Sequence, residues 1–275
     1  MFTLNCRGKL FFAEYPQVMG IVNITPDSFY TGSTDPDYVL QMVHKMTEDG
    51  ASIIDIGGQS TKPGSEMISA DEEMSRVIPI LEKLTAVFTS TIFSIDTFYS
   101  SVAEAAVVAG ASIVNDVSSG SIDPDMIRVV GKLQVPYIAM HMQGTPASMQ
   151  KDPFYEDVVK DVLDYFIYKL DECKTAGIID VILDPGFGFG KKSKHNFSLL
   201  KNLAVFDMLD RPILAGISRK GMVYRSLEVT AEHALNGTTA LNMIALMNGA
   251  QILRVHDVKE ACEAVTLYNI YKGTK

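Results

Sequence analysis

Cysteine is scarce in this sequence, and the three that occur, Cys6, Cys173 and Cys262, lie far apart. An odd, scattered set fits neither a disulfide framework nor a zinc ligand set, and free thiols in a reducing compartment are expected. No His/Cys spacing of the zinc kind occurs, and His44, His195 and His233 read as surface residues of helices. Basic residues are few: 24 Lys and Arg against 33 Asp and Glu leave a net charge of −9. A dedicated nucleic-acid binder carries a basic stripe, so nucleic acid is not expected as a partner. Long apolar runs are missing, so no bilayer span is expected. The opening MFTLNCRGKLFFAEYPQ also lacks the apolar centre of a secretory signal. The expectation is a cytoplasmic protein without a membrane partner.

What the sequence does contain is a repeating pattern. Short apolar runs recur at residues 18–23, 52–57, 91–96, 112–116, 136–142, 180–184, 212–218 and 251–256. Between several of them, at 37–49, 70–85, 100–109, 153–175 and 231–247, apolar residues return at helical spacing. Near-continuous apolar strands alternating with helices call for a parallel sheet covered by helices. Eight such units without a linker or a break in composition predict an α/β fold, a single (β/α)8 barrel domain over residues 1–275. The first residues, to about Pro16, are expected to form a strand or hairpin ahead of it. A doubly wound open sheet is the alternative.

Nearly every run ends in a polar residue: Asn23, Asp55, Asp96, Asn115 with Asp116, His141, Asp184, Ser218-Arg219-Lys220, then Arg254 and His256. Asp and Asn at such places often only start turns or cap helices. In a barrel, however, all these tips meet at one mouth, where such enzymes build their sites. Arg219, Lys220, Arg254 and His256 follow the last two strands, where barrels often bind phosphate. Asp96 and Asp184 beside Asn115 suit a flat heterocycle with an amidine-like N–H edge, because a carboxylate accepts two parallel hydrogen bonds. The residues alone leave general acid–base work or metal ligation open for the same acids. Two long polar loops, 24–37 and 57–72, read as lids, and Gly57-Gly58 with Ser60, Thr61 and Lys62 as an anion nest.

The stretch VILDPGFGFGKK (181–192) invites comparison with phosphate loops. It lacks the Ser/Thr and the glycine spacing of a Walker loop, and the Rossmann glycine pattern is absent. Its glycines are expected to turn the chain sharply past Asp184 and bring Phe187 or Phe189 to the mouth.

Seven collinear motifs now bear on identity: MGIVNITPDSF, DIGGQSTKPGSE, SIDTFYSSVAEAAVVAGASIVNDVS, AMHMQGTP, ILDPGFGFGK, LAGISRKGM and ILRVHDV. In order and spacing they resemble the dihydropteroate synthases, from about Val18 to the C-terminal helix. The resemblance implies a barrel that joins dihydropterin diphosphate to 4-aminobenzoate, releasing diphosphate and forming 7,8-dihydropteroate for folate synthesis. It implies a pterin pocket of Asp96, Asn115, Met140, Asp184, Gly216 and Lys220. It gives the diphosphate to Asn23, Thr61, Arg254 and His256, with Asn23 also reaching Mg²⁺. Pro63, Phe189, Ser218 and Arg219 would flank the aminobenzoate, and Asp96, Lys220, Arg254 and His256 would carry catalysis. It further implies sulfonamides as inhibitors and a homodimer formed through the late helices, for which the Met-rich ALNMIALMNG (240–249) is a candidate.

An arylamine is neutral at pH 7, so an SN1-like loss of Mg-diphosphate is expected, with Asp96 stabilising the cationic ring. Gln59 and Lys62 stand where many relatives carry Glu and Arg, and Tyr30-Thr31 where a small residue and an acid are common. These departures bear on loop closure, not on the pterin pocket. Two rival readings are a pterin-binding paralogue without turnover and a methyltetrahydrofolate–corrinoid methyltransferase. The second has no use for a diphosphate clamp.

Overall fold

The computed structural model describes residues 1–25, 35–60, 65–146 and 148–274. The chain opens with an antiparallel hairpin, β1 (Phe2–Cys6) and β2 (Lys9–Ala13). Eight parallel strands follow: β3 (Gln17–Asn23), β4 (Ile53–Gly57), β5 (Ile92–Asp96), β6 (Ile113–Asp116), β7 (Tyr137–Met140), β8 (Val181–Asp184), β9 (Leu214–Ala215) and β10 (Ile252–Val255). From β3 to β8 each strand pairs with its successor; β10 pairs with both β3 and β9. The seam between β8 and β9 is narrow, held by a Leu183–Ile213 bridge and a 2.8 Å bond from Leu183 N–H to Pro212 O. This is the expected barrel and not the open doubly wound sheet.

The helices are α1 (Pro36–Glu48), α2 (Ala70–Val87), α3 (Ser100–Val108), α4 (Met126–Leu133), α5 (Val158–Thr175), α6 (Ser193–Lys201), α7 (Gly221–Tyr224), α8 (Leu235–Met247) and α9 (Val258–Gly273). Two differ from the sequence expectation. The pattern from 153 becomes helix only at Val158, because Asp157 caps the N-terminus by accepting from Val159 and Lys160 N–H. The pattern from 231 starts as a short 3₁₀ turn before α8. Asp35 and Ser69 cap α1 and α2 in the same way. None of these three caps is a strand-end residue, so at these helices the tip residues are left for other work.

Two apolar layers hold the barrel. The larger lies between sheet and helices, around residues such as Val22, Ile56, Ile95, Val162 and Phe166. The smaller fills the barrel's interior, where Met19, Ile53, Ile113, Ile138, Ile182, Leu214 and Ile252 meet. Leu4 and Cys6 of the hairpin join that inner cluster, and Asn5 N–H donates to Asp180 Oδ2 at 2.7 Å. The hairpin therefore plugs the end of the barrel at which the strands begin. Only the end at which they finish is left for a site. No helix among the described residues is long and apolar enough to cross a membrane.

Candidate active site

At the C-terminal ends of the strands lies a cavity of about 1290 Å³, bordered by Asn23, Asp96, Gly216, Ser218, Arg219, Lys220, Arg254 and His256, with Phe189. It is larger than the usual range for one small ligand, roughly 300–1,000 Å³. Space for two substrates is available.

The buried side of this site is built on a shared cation. Arg254 Nε donates to Asp55 Oδ2 at 2.6 Å, and its Nη2 donates to Asp96 Oδ2. Asn115 Nδ2 also donates to Asp55 Oδ2, at 2.9 Å, which fixes the amide. Two carboxylates thus share one guanidinium, and the cluster carries an excess of negative charge. Burial is the main reason that Asp96 is pushed up to about 7; Arg254 opposes the shift, while Asp55, Asp116 and Asp184 add to it. Burial alone lowers the proton affinity of Arg254, but the fields of Asp55 and Asp96 more than offset this and raise it. Asp55 was only a tip residue in the sequence; its anchoring role depends on Arg254, 199 residues away.

Beside this cluster stand Asp184 and Lys220. Burial raises the Asp184 pKa, against the opposing field of Lys220. Burial also pulls Lys220 down to about 8, with Asp184 opposing. Lys220 Nζ donates to Phe187 O and lies 4.5 Å from the centre of the Phe189 ring. Gly216 sits between the two charged groups. A Cβ there would lie 3.7 Å from Lys220 Nζ and 3.9 Å from Asp184 Oδ2, so its absence leaves room for a flat ring between them. Met140 and Phe189 pack with Phe98, Val117 and Met149 in a small apolar cluster at this end. Phe189 thus reaches the mouth as expected. The Phe187 ring enters the main core, and only its carbonyl serves the site.

The more open side carries Ser218, His256 and Arg219. Ser218 Oγ lies 3.1 Å from His256 Nδ1 and accepts from His256 N–H at 3.2 Å, which orients the imidazole. Arg219 binds Asp257 with two bonds of 2.9 and 2.7 Å and also donates to Ala231 and Glu232 carbonyls. Its backbone is left-handed, with φ of 53°, a conformation that this staple holds in place. Thr61, Lys62 and Pro63 lie outside the described residues, as do Tyr30 and Thr31.

Other expectations divide. Gln59 is buried: its Nε2 donates to Glu66 O at 3.0 Å and its Oε1 accepts from Ile68 N–H at 3.0 Å. It ties together the described ends of the loop after β4. His44 and His233 are exposed, but His195 is buried. There it accepts from Lys192 N–H and lies edge-on to Tyr155, so the surface reading of His195 is corrected. Asp116 and His141 took the bland role that strand-end residues often have. Asp116 accepts from Ser118, Gly120 and Tyr137, and burial with the field of Lys191 holds His141 down at about 2.

For Mg²⁺, Asn23 offers a neutral amide oxygen beside the cavity. Among the described residues there is no group of three or more His, Cys, Asp or Glu arranged to hold a metal. A hard cation that keeps its waters and is bound largely through substrate phosphates fits that single oxygen donor.

The comparisons agree with this geometry. Residues 19–256 match the model of the pterin binding enzyme family. The dihydropteroate synthase of Escherichia coli K12 is 43% identical over 266 residues, covering 95% of this chain and 94% of the relative. The structure of the Yersinia pestis dihydropteroate synthase with a sulfonamide drug has a TM-score of 0.95 at 40% identity, covering 99% of this chain and 100% of that one. The Xanthomonas albilineans dihydropteroate synthase in complex with 7,8-dihydropteroate has a TM-score of 0.87 at 34% identity, covering 99% of each chain. The barrel with its charged mouth is thus that of a pterin binding enzyme. Within that group the chain belongs to the dihydropteroate synthases, transferases of folate biosynthesis.

Proposed function

We propose that this mouth binds dihydropterin diphosphate and 4-aminobenzoate, joins them, and releases diphosphate with 7,8-dihydropteroate. The observation that carries this reading is the division of charge at one mouth: Asp96, Lys220, Arg254 and His256 border the cavity, and Asp184 and Asn115 lie beside it, next to Gly216 and Asp55. Asp96, Asp184 and Asn115 are buried, while Asn23, Lys220, Arg254 and His256 are less so. The acids suit the donor edge of a pterin, with Lys220 donating to the ring, Gly216 making room and Met140 as an apolar wall. Asn23, Arg254 and His256 suit a diphosphate, with Thr61 as a further ligand. Ser218, Phe189, Arg219 and Pro63 flank the aminobenzoate. The X. albilineans relative, seen with 7,8-dihydropteroate, supports a product of this size in such a barrel.

The amine is neutral at pH 7, so no base has to act before attack, and the proton that its nitrogen carries in excess once the C–N bond has formed passes to water. The C–O bond to diphosphate breaks as positive charge develops on the exocyclic carbon and spreads into the electron-rich ring. Asp96, ionised, stabilises that charge; Lys220, Arg254 and His256 receive the leaving group. Asn23 would hold Mg²⁺, which supplies charge neutralisation on the diphosphate oxygens. In this SN1-like course the rate depends weakly on amine nucleophilicity, with the small carbon isotope effect and large normal α-deuterium effect characteristic of a free cation. Steep dependence on the amine without that pattern would refute it.

A homodimer is supported by apolar residues that α8 and α9 leave exposed, among them Ile244, Met247, Leu267 and Ile270. A reducing cytosol is supported by three free cysteines. The deciding experiment is diphosphate release from dihydropterin diphosphate and Mg²⁺, with and without 4-aminobenzoate. Release that requires the amine and yields dihydropteroate is expected. Tight pterin binding without release would favour the paralogue without turnover.

A further inference from the structure

The GFGFGKK stretch folds around its own lysine. Lys191 is 3% exposed, and its Nζ lies 3.0 Å from each of the carbonyl oxygens of His141, Gly186 and Phe189 and 2.9 Å from His141 Nδ1. A phosphate loop points N–H groups at an anion; this loop points carbonyls at a cation. The glycines permit that wrapping. Gly186 and Gly190 have φ of 69° and 61°, and a Cβ on them would come within 2.0 Å of His141 O and 2.4 Å of Gln143 O.

The consequence reaches the ligand side through the two peptides that meet at Gly186 and through one further carbonyl. Gly186 gives its C=O to Lys191 and its N–H to Asp184 Oδ1, at 2.8 Å. That N–H lies in the Pro185–Gly186 peptide and the C=O in the next one, and the two planes meet at the Gly186 Cα, whose φ is 69°. By holding the carbonyl, Lys191 restrains the turn whose N–H meets the Asp184 carboxylate. Phe189, also held by its carbonyl, places its ring under Lys220, and the intervening Phe187 O accepts from Lys220 Nζ. The strand next door is included, because His141 N–H donates to Asp184 O at 3.0 Å.

We propose that Lys191 is a positioning residue for pterin recognition: it acts through the turn at Gly186 and the rest of the 186–190 loop to aim Asp184 and Lys220 at one ligand. This rests on the pterin role of Asp184 proposed above. Burial disfavours the charge on Lys191, and Asp184 opposes that effect. Each of the two groups thus favours the charged form of the other across the turn at Gly186.

The test is a double-mutant cycle read by calorimetric binding of dihydropterin diphosphate to the full-length protein without 4-aminobenzoate. The variants are Lys191→Met, Asp184→Asn and the two combined, each checked for a cooperative thermal melt. Lys191→Met is expected to weaken binding roughly tenfold, and the double variant to bind scarcely more weakly than Asp184→Asn, as coupled neighbours do. Losses that multiply independently would overturn the proposal, since a lysine that merely stabilises the fold has no reason to act through Asp184. Wild-type binding by Lys191→Met beside a clear loss in Asp184→Asn would overturn it while leaving the pterin reading intact. Undiminished binding by Asp184→Asn would overturn both. Should Lys191→Met not fold, Lys191→Gln, which keeps donors but loses the charge and reach, takes its place under the same criteria.

Discussion

Replacing Asp96 by Asn is expected to make the protein more stable and inactive at once. Asp96 and Asp55 share the single guanidinium of Arg254, so one negative charge in this buried cluster has no partner. Asparagine at 96 leaves a matched Arg254–Asp55 pair and keeps an oxygen to accept from Arg254. Burial raises the Asp96 carboxyl from 3.8 to about 7. With the folded pKa above the unfolded one, the folded state holds a proton that the unfolded state gives up. Stability is then lost as pH rises from about 4 to about 7 and stays level above that. About three pH units at roughly 1.4 kcal/mol each set a ceiling of about 4 kcal/mol, and the weaker bond to Arg254 reduces it to roughly 1–3 kcal/mol. In a chain of this size that is a rise in Tm of a few degrees, roughly 2–4 °C per kcal/mol. Thermal melts from pH 4 to 9 measure it: the gain of Asp96→Asn over wild type should grow between pH 4 and 7 and vanish near pH 4. Dihydropteroate formation should fall by at least about a hundredfold, as for loss of one preorganised electrostatic group. A variant less stable than wild type at pH 8, or a gain independent of pH, would refute the shared-cation reasoning.

Glu73 offers the same physics in a different setting. Burial raises it from 4.5 to about 8, and its carboxylate accepts from Thr97 Oγ1 at 2.9 Å. Glu73→Gln should gain stability progressively between pH 4.5 and 8 while turnover persists; equal melting curves across that range would count against it. Gly216→Ala adds a methyl in ordinary contact with its neighbours. Its melting curve should stay within ~0.5 kcal/mol of wild type while calorimetric pterin binding weakens sharply. Gln59→Glu turns a carboxylate toward the Glu66 carbonyl that now accepts an N–H. A loss of about 1–2 kcal/mol in thermal or denaturant unfolding and a raised KM for 4-aminobenzoate are expected. Leu4→Ala should cost roughly 2–5 kcal/mol by opening the hairpin plug of the barrel, with KM values unchanged in the folded fraction.

The strands were legible because each is an apolar run buried on both faces, and the eight expected runs lie on the eight barrel strands. Run 212–218 shrinks to Leu214–Ala215, because beyond Ala215 the chain leaves the ladder at Gly216, where the site needs space. Helices α4 and α6 went unread. The first is a short helix of 8 residues with Gly131 in it, packed so closely that a Cβ there would meet Ala176 O at 2.1 Å. The second, SKHNFSLLK, has too few apolar residues to show a period. His195 was misread for a related reason: Tyr155, which covers it, comes from a distant loop.

Among the strand-end acids, sequence position alone did not separate function from support. Asn115 and Asp116 are adjacent, and successive residues of a strand face opposite sides of the sheet. Asn115 accordingly meets Asp55 inside the mouth, whereas Asp116 meets Tyr137 from the outer layer. That alternation was available from the sequence once one inward residue had been assigned. The roles of Asp55 and Lys191 were not, because each is defined by what arrives from elsewhere. Asp55 needs Arg254 from the last strand, and Lys191 needs two carbonyls turned toward it by the glycine loop past Asp184 and a third, that of His141, from the end of the neighbouring strand. The same apolar-then-glycine pattern that suggests a phosphate loop here makes a cradle of carbonyls around a lysine. A phosphate loop also carries a lysine after its glycines, so what separates the two is which backbone groups the turn directs inward: N–H groups there, the Gly186 and Phe189 carbonyls here.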